Sequence, residues 1–247
     1  MLQSFSGHLP HFILESLAYM VGAQVYWYLS KQAVHPPKID RFLLLAFAVF
    51  GAFLGSKLLH IFEHLPYLLS QPTGVWFGGK SVLGGFLGGT LFVEIGKKII
   101  KWPYSTGDVW IVPLAVGLMI GRLGCQLSGL WDSTYGISTS LPWGWDYGDG
   151  IARHPTALYE MILVFVLTLG VCQLKSAVSG RRFDCWMIGY CMIRLGIEFL
   201  KPPFGQETEV LLPVALHFGL TAIQWASVLG IAYFIWHIYL QRKNKIK

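Results

Sequence analysis

Charge is what this chain has least of. Only 13% of its residues are Asp, Glu, Lys or Arg, against about 25% in ordinary soluble domains, so composition alone excludes a water-soluble globule. Cysteine is equally scarce. Cys125, Cys172, Cys185 and Cys191 all fall inside apolar segments without ligand-like spacing, which indicates neither a disulfide framework nor a zinc site and points to packing roles. No Lys or Arg precedes the first apolar run, and no small-residue cleavage pattern follows it, so it reads as an uncleaved first helix. Neither an inverted repeat nor a matching pair of broken helices is visible, which weighs against a transporter. A nucleic-acid recognition fold is also missing, and the net charge of +6 comes from loop lysines and arginines that serve membrane topology.

What is present is hydrophobic length. With 54% apolar residues spread over 247 positions, the chain reads as an all-α polytopic membrane protein forming one domain over 1–247, with no room for a sizeable soluble part. Spanning helices are predicted at about 11–30, 42–62, 81–100, 108–127, 156–175, 184–200 and 216–240, seven in all. The stretch before the third helix, YLLSQPTGVWFGG, reads as re-entrant or interfacial. Gly84, Gly85, Gly88 and Gly89 repeat at a spacing that lets two helix backbones approach closely.

Basic residues set the orientation. Lys31, Lys38 and Arg41, then Lys97, Lys98 and Lys101, then Lys175, Arg181 and Arg182, and finally Arg242, Lys243, Lys245 and Lys247 mark one side as cytoplasmic. An odd number of spans then places the N-terminus outside and the C-terminus inside. Six basic residues remain unexplained by that rule: Lys57, Lys80, Arg122, Arg153, Arg194 and Lys201. Lys57, Arg122 and Arg194 each lie some six or seven residues in from a predicted outer end, a depth of roughly 10 Å.

Arg122 and Arg194 sit within the apolar runs IVPLAVGLMIGRLGCQL and CWMIGYCMIRLGIEFL. A guanidinium does not shed its proton, so each must face a protein interior or wet cavity where an anion meets it. Internal pairing is one solution. Glu198 stands at i+4 from Arg194, Glu63 lies near Lys57, and Glu15 and Glu160 enter the same outer leaflet from the first and fifth helices. The other solution is a phosphate-bearing ligand, favoured because Arg153 and Lys80 add positive charge at the outer rim.

Between the fourth and fifth helices, about 128–154, the chain carries Trp131, Trp143, Trp145, Tyr135 and Tyr147 with several glycines, the composition of an external cap at the membrane interface. Asp132, Asp146 and Asp149 have no calcium-loop spacing and read as solvated acids; no metal or other cofactor is expected. His154-Pro155 opens the fifth helix, where proline suits the first turn, and sets His154 beside Arg153, Tyr159 and Glu160.

GRLG at 121–124, RHPTALYE at 153–160 and IRLGIEFLKPP at 193–203 resemble, in order and helix context, the corresponding segments of prolipoprotein diacylglyceryl transferases. AYMVG at 18–22, FLGSKLL at 53–59 and KSVLGGFLGG at 80–89 extend the likeness more weakly. The resemblance implies a multi-pass enzyme of the bacterial inner membrane whose site opens to the outer leaflet. Such an enzyme moves the diacylglyceryl group of phosphatidylglycerol to the cysteine thiol of a lipobox and releases glycerol phosphate. Arg122 and Arg194 match the family's functional arginines and, with His154 and Glu160, are the expected catalytic set. Lys57, Lys80, Arg153, Tyr159, Glu198, Gly84, Gly85 and Glu15 are the expected substrate-binding set, and the partners are the phospholipid, a prolipoprotein and the membrane itself.

The chain departs from the family pattern at four places: Leu83 stands where a histidine is expected, Cys125 for an asparagine, Leu130 for a glutamate and Glu15 for a tyrosine. Three readings therefore stay open. The chain is a divergent lipoprotein-modifying enzyme, a transferase with a similar phospholipid donor and another acceptor, or a non-enzymatic phospholipid-binding or translocating protein.

Overall fold

The computed structural model describes residues 8–31, 33–132, 134–176, 178–202 and 214–245. Along the chain run α1 (His8–Ser30), α2 (Lys38–Glu63), the single turn α3 (Leu65–Leu68), α4 (Val82–Ile99), α5 (Ile111–Ser128), α6 (Thr156–Gln173), α7 (Arg181–Glu198) and α8 (Ala222–Lys245). All but α3 have 18 residues or more. Among the described residues, four segments combine the length and apolarity to cross a membrane: Lys38–Glu63, Asp108–Asp132, Thr156–Gln173 and Ala222–Lys243. The other three long helices fall short of that for local reasons. α7 carries Arg181, Arg182, Asp184, Arg194 and Glu198, α4 carries Glu94, Lys97 and Lys98, and α1 is diluted by Glu15, Gln24 and the Tyr26-Trp27-Tyr28 run. Large apolar side chains such as Phe50 and Phe53 of α2, Phe165 and Val166 of α6, and Leu229 and Trp236 of α8 face outward, as expected where the surrounding solvent is hydrocarbon.

The chain divides into two compact units. In the first, α1 packs on α5, α5 on α6 and α6 on α7. The buried stripe of α7, namely Asp184, Met187, Tyr190, Cys191, Arg194, Ile197 and Glu198, follows the three-and-four spacing of one helical face. Trp186 stacks on Tyr190 at 5.7 Å and donates from Nε1 to Thr168 Oγ1 at 2.9 Å, locking α7 to α6. The start of α7 is held by Asp108, whose carboxylate accepts from the backbone N–H of Gly180 (2.8 Å) and Phe183 (3.0 Å), an anion against the positive end of a helix.

Gly129, at φ 64, turns the chain out of α5 in a conformation that side chains other than glycine resist. The cap then forms a small antiparallel pair, β1 (Trp145–Asp146) with β2 (Ala152–Arg153), Trp145 opposite Arg153. Asp146 Oδ1 closes the turn by accepting from Gly148 and Gly150 N–H. Backbone bonds from Ile137 N–H to Leu200 C=O (2.7 Å) and from His154 N–H to Ile137 C=O (3.0 Å) fasten the cap across the end of α7 and the start of α6.

The second unit pairs α2 with α4, and α8 packs on both. The α2–α4 contact is a glycine seam: a Cβ at Gly55 would run into the Gly84 carbonyl, and one at Gly84 into Gly55, so backbone meets backbone there. The predicted re-entrant stretch forms α3 and a 3-10 turn at Thr73–Phe77. The last helix begins later than its predicted start at 216, because β3 (Leu216–His217) and β4 (Leu220–Thr221) form a hairpin there. Phe218 and Gly219 both have positive φ, 53 and 82, the signature of a tight hairpin turn. Thr221 and Gln224 then cap α8 reciprocally, Gln224 N–H to Thr221 Oγ1 at 3.2 Å and Thr221 N–H to Gln224 Oε1 at 3.0 Å.

Candidate active site

In the first unit, the C-terminal turns of α5 and α7 meet the opening turns of α6 around one carboxylate. Glu160 is 1% exposed. Its Oε1 accepts from Arg122 Nη2 (3.1 Å) and Tyr190 OH (3.0 Å), and its Oε2 accepts from Arg194 Nη1 (2.7 Å). Arg122 Nε lies 3.0 Å from Oε2 but out of line for a hydrogen bond. Arg194 turns its other amino group, Nη2, to Glu198 Oε2 at 3.0 Å, and Lys201 Nζ approaches the same oxygen at 3.2 Å.

The cluster therefore holds Arg122, Arg194 and Lys201 against Glu160 and Glu198, three positive groups against two negative ones. Taking ions out of water costs several kcal/mol each unless partners are close and lone pairs are filled. Glu160 meets that condition by giving both oxygens to donors. Its geometric effect is to fix two guanidiniums side by side with one positive charge in surplus.

A second polar set lies at the base of the cap. His154 Nδ1 is 3.2 Å from Tyr159 OH, and Trp143 Nε1 donates to that same hydroxyl at 2.8 Å. Arg153 is buried, donates to Asp149 Oδ1 at 2.8 Å and stands 5.1 Å from the Tyr135 ring centroid, so it holds the cap together. Tyr147 donates to Gln126 Oε1 at 3.1 Å, and burial pushes its hydroxyl up to about 12, keeping it a neutral donor. Beside Tyr159 an apolar crevice of about 450 Å³ runs between α6 and α7, lined by Ile162, Leu163, Met192, Ile193, Gly196, Ile197 and Leu200.

Four of the residues singled out from the sequence belong to the second unit. Lys57 Nζ donates to the carbonyls of Phe77 (2.6 Å) and Gly79 (2.7 Å), tying α2 to the turn before α4; these carbonyls, brought close by the 3-10 turn, take the ammonium that sequence proximity assigned to Glu63. Lys80 is exposed. Gly84 lies in the glycine seam, whereas a Cβ at Gly85 would meet the Ala52 carbonyl oxygen at an ordinary 3.6 Å.

Glu15, in α1, accepts from Tyr19 OH at 3.2 Å and lies 3.6 Å from His11 Nε2. Sequence reasoning missed His11, which shares a face with Glu15 at i+4, and Tyr190, at i−4 from Arg194. It also read Asp132 as solvated. Instead Asp132 Oδ1 lies 3.2 Å from His11 Nδ1 and Oδ2 accepts from Thr134 Oγ1 at 2.7 Å. The donor atoms of His11, Cys125 and Asp132 all lie within 4.8 Å of one another, a convergence that sequence spacing does not reveal.

The family model for prolipoprotein diacylglyceryl transferase matches residues 13–240. A phosphatidylglycerol–prolipoprotein diacylglyceryl transferase of Nitratidesulfovibrio vulgaris is 31% identical over 212 residues, 77% of this chain and 76% of the relative. Its namesake in Cupriavidus metallidurans is 29% identical over 245 residues, covering 89% and 87%, and that of Geobacter sulfurreducens is 36% identical over 168 residues, 63% of each. The matched span takes in the Arg122, Glu160 and Arg194 cluster and its flanking helices, and this chain belongs to the prolipoprotein diacylglyceryl transferase family.

Proposed function

We propose that this protein transfers the diacylglyceryl group of phosphatidylglycerol to the cysteine thiol of a prolipoprotein. It does so as a seven-span enzyme of the bacterial inner membrane, with its N-terminus outside and its site open to the outer leaflet. The observation that carries the reading is the surplus positive charge of the buried cluster, three cations held against two carboxylates. The phosphodiester of phosphatidylglycerol supplies the missing negative charge. Within the same unit, Lys175, Arg181 and Arg182 lie at the opposite ends of α6 and α7 from this cluster, which supports the outer placement.

In the reaction, the acceptor sulfur forms a C–S bond to the glyceryl carbon as that carbon's bond to the phosphate oxygen breaks. The electron pair leaves with glycerol phosphate, whose phosphate gains a second negative charge. Arg122 and Arg194 remain charged throughout and, fixed in advance by Glu160, stabilise that growing charge without reorganising. Glu160 is thus a positioning residue. His154, bridged through Tyr159 to Trp143, takes the thiol proton. The apolar crevice beside Tyr159 seats an acyl chain.

The test is mass spectrometry of a lipobox peptide incubated with purified protein and phosphatidylglycerol. A diacylglyceryl mass increase on the peptide cysteine is expected, abolished in Arg122→Ala and His154→Ala. An unmodified peptide with intact lipid, or undiminished product in Arg122→Ala, refutes the assignment.

A further inference from the structure

We infer that His11, Cys125 and Asp132 form a binding site for a zinc-type divalent cation whose fourth position takes the acceptor thiolate. The inference rests on the transferase reading for its substrate but not for its metal. The three donor atoms lie within 4.8 Å of one another. In a tetrahedral zinc site, ligand atoms at 2.0–2.3 Å from the ion are roughly 3.3 to 3.8 Å apart, so small side-chain adjustments close the distance. Nitrogen, sulfur and a single carboxylate oxygen are donors that zinc accepts and calcium or magnesium does not favour.

The surroundings of the three donors complete the geometry. His11 Nδ1 is shielded from solvent and makes no hydrogen bond, although Asp132 Oδ1 is 3.2 Å away; its lone pair is available. The other ring nitrogen, Nε2, faces Glu15 Oε2 at 3.6 Å, the carboxylate partner that orients metal-bound histidines. Asp132 shows the same division of labour, Oδ2 held by Thr134 at 2.7 Å and Oδ1 turned to His11. Cys125 is buried, and its Sγ accepts from Arg122 Nη1 at 3.8 Å. Arg122 turns its other amino group, Nη2, to Glu160 Oε1 at 3.1 Å.

Three protein ligands leave one position of a tetrahedral ion open, the arrangement of sites that bind and activate a substrate atom. A thiol that coordinates there does so as the thiolate, and the proton it gives up is the one that passes to His154. Its sulfur then attacks the glyceryl carbon, and the C–O electron pair departs with the phosphate beside Arg122. Cys125 and Glu15, two of the four departures from the family pattern, thereby acquire a joint purpose: a metal supplies activation at the place where family polar groups are replaced.

Cobalt(II) titrated into the metal-stripped full-length protein tests the site directly. Expected is one cobalt per chain with a thiolate-to-cobalt charge-transfer band, displaced by zinc, lost in Cys125→Ser and retained in Cys172→Ser. Glu15→Gln should weaken binding by about 10–100-fold. A missing band, or one that survives in Cys125→Ser, overturns the site. A lipobox peptide should shift the cobalt spectrum while its cysteine-to-serine version does not, and stripped protein should regain thioether formation only with zinc. Undiminished thioether formation by stripped protein overturns the role. If no thioether forms under any metal condition, the transferase reading fails, and the cobalt spectra still decide whether the site exists.

Discussion

The polar end of the first unit and the glycine seam of the second solve opposite packing problems. Around Glu160, long charged side chains bring three helices together by filling one another's hydrogen-bonding capacity. Along α2 and α4, the absence of side chains lets backbones touch. Both stretches stand out in the sequence, one for charges in an apolar run and the other for repeated glycine. The difference teaches where each kind of outlier belongs: a surplus of charge leaves something for a ligand to complete, whereas a glycine seam is complete when its partner helix is in place.

Removing the shared anion should produce the largest effect. Glu160→Ala leaves Arg122 and Arg194 buried without their common partner, at a cost of about 3–5 kcal/mol, measurable by thermal unfolding in detergent. Unchanged stability would mean that the cluster does not hold the helices. Arg122→Lys keeps the charge but loses the planar fork, and turnover of phosphatidylglycerol should fall roughly 100- to 1,000-fold while unfolding shifts much less. On the other side of the comparison, Gly84→Leu should overpack the seam by about 1–3 kcal/mol and reduce activity only in proportion to folded protein. Gly85→Ala, with room for its Cβ, should change neither; a specific loss of turnover there would give the seam a role in substrate handling.

The smallest effect belongs to the cap. Burial works to raise Asp149, but its hydrogen bond from Arg153 outweighs that and holds the carboxyl below its usual range. A carboxylate depressed in the folded state contributes stability above its unfolded value, about 3.9, and loses it as pH falls through the folded one. Acidification from about pH 5 downward, through the unfolded value and on through the lower folded one, should therefore loosen the cap, read as a change in tryptophan fluorescence that Asp149→Asn diminishes. The change should be modest because the pair is partly exposed.

Much of this was visible in the sequence. Hydrophobic runs located the long helices, aromatic and glycine content located the cap, and Arg122 and Arg194 declared themselves by the cost of charge in an apolar setting. Glu198 followed from helical spacing. The role of Glu160 as a bridge was not legible, because its partners come from α5 and α7 and only packing makes them converge. His11, Cys125 and Asp132 are separated along the chain for the same reason. Lys57 was placed near Glu63 by proximity in sequence, while the turn at Thr73–Phe77 supplies nearer carbonyls.

Asp108, which caps α7 from the start of the α5 segment, gives the two arginine-bearing helices a common origin. Arg122 follows Asp108 by fourteen residues, and Arg194 follows Gly180 by fourteen. At 1.5 Å per residue each guanidinium is carried roughly 21 Å from the same fixed point, like marks on two rulers laid from one zero. The register of the pair is thus set at the far end of the helices, and a single residue inserted into either one would raise its arginine by about 1.5 Å and swing it some 100° away from its partner.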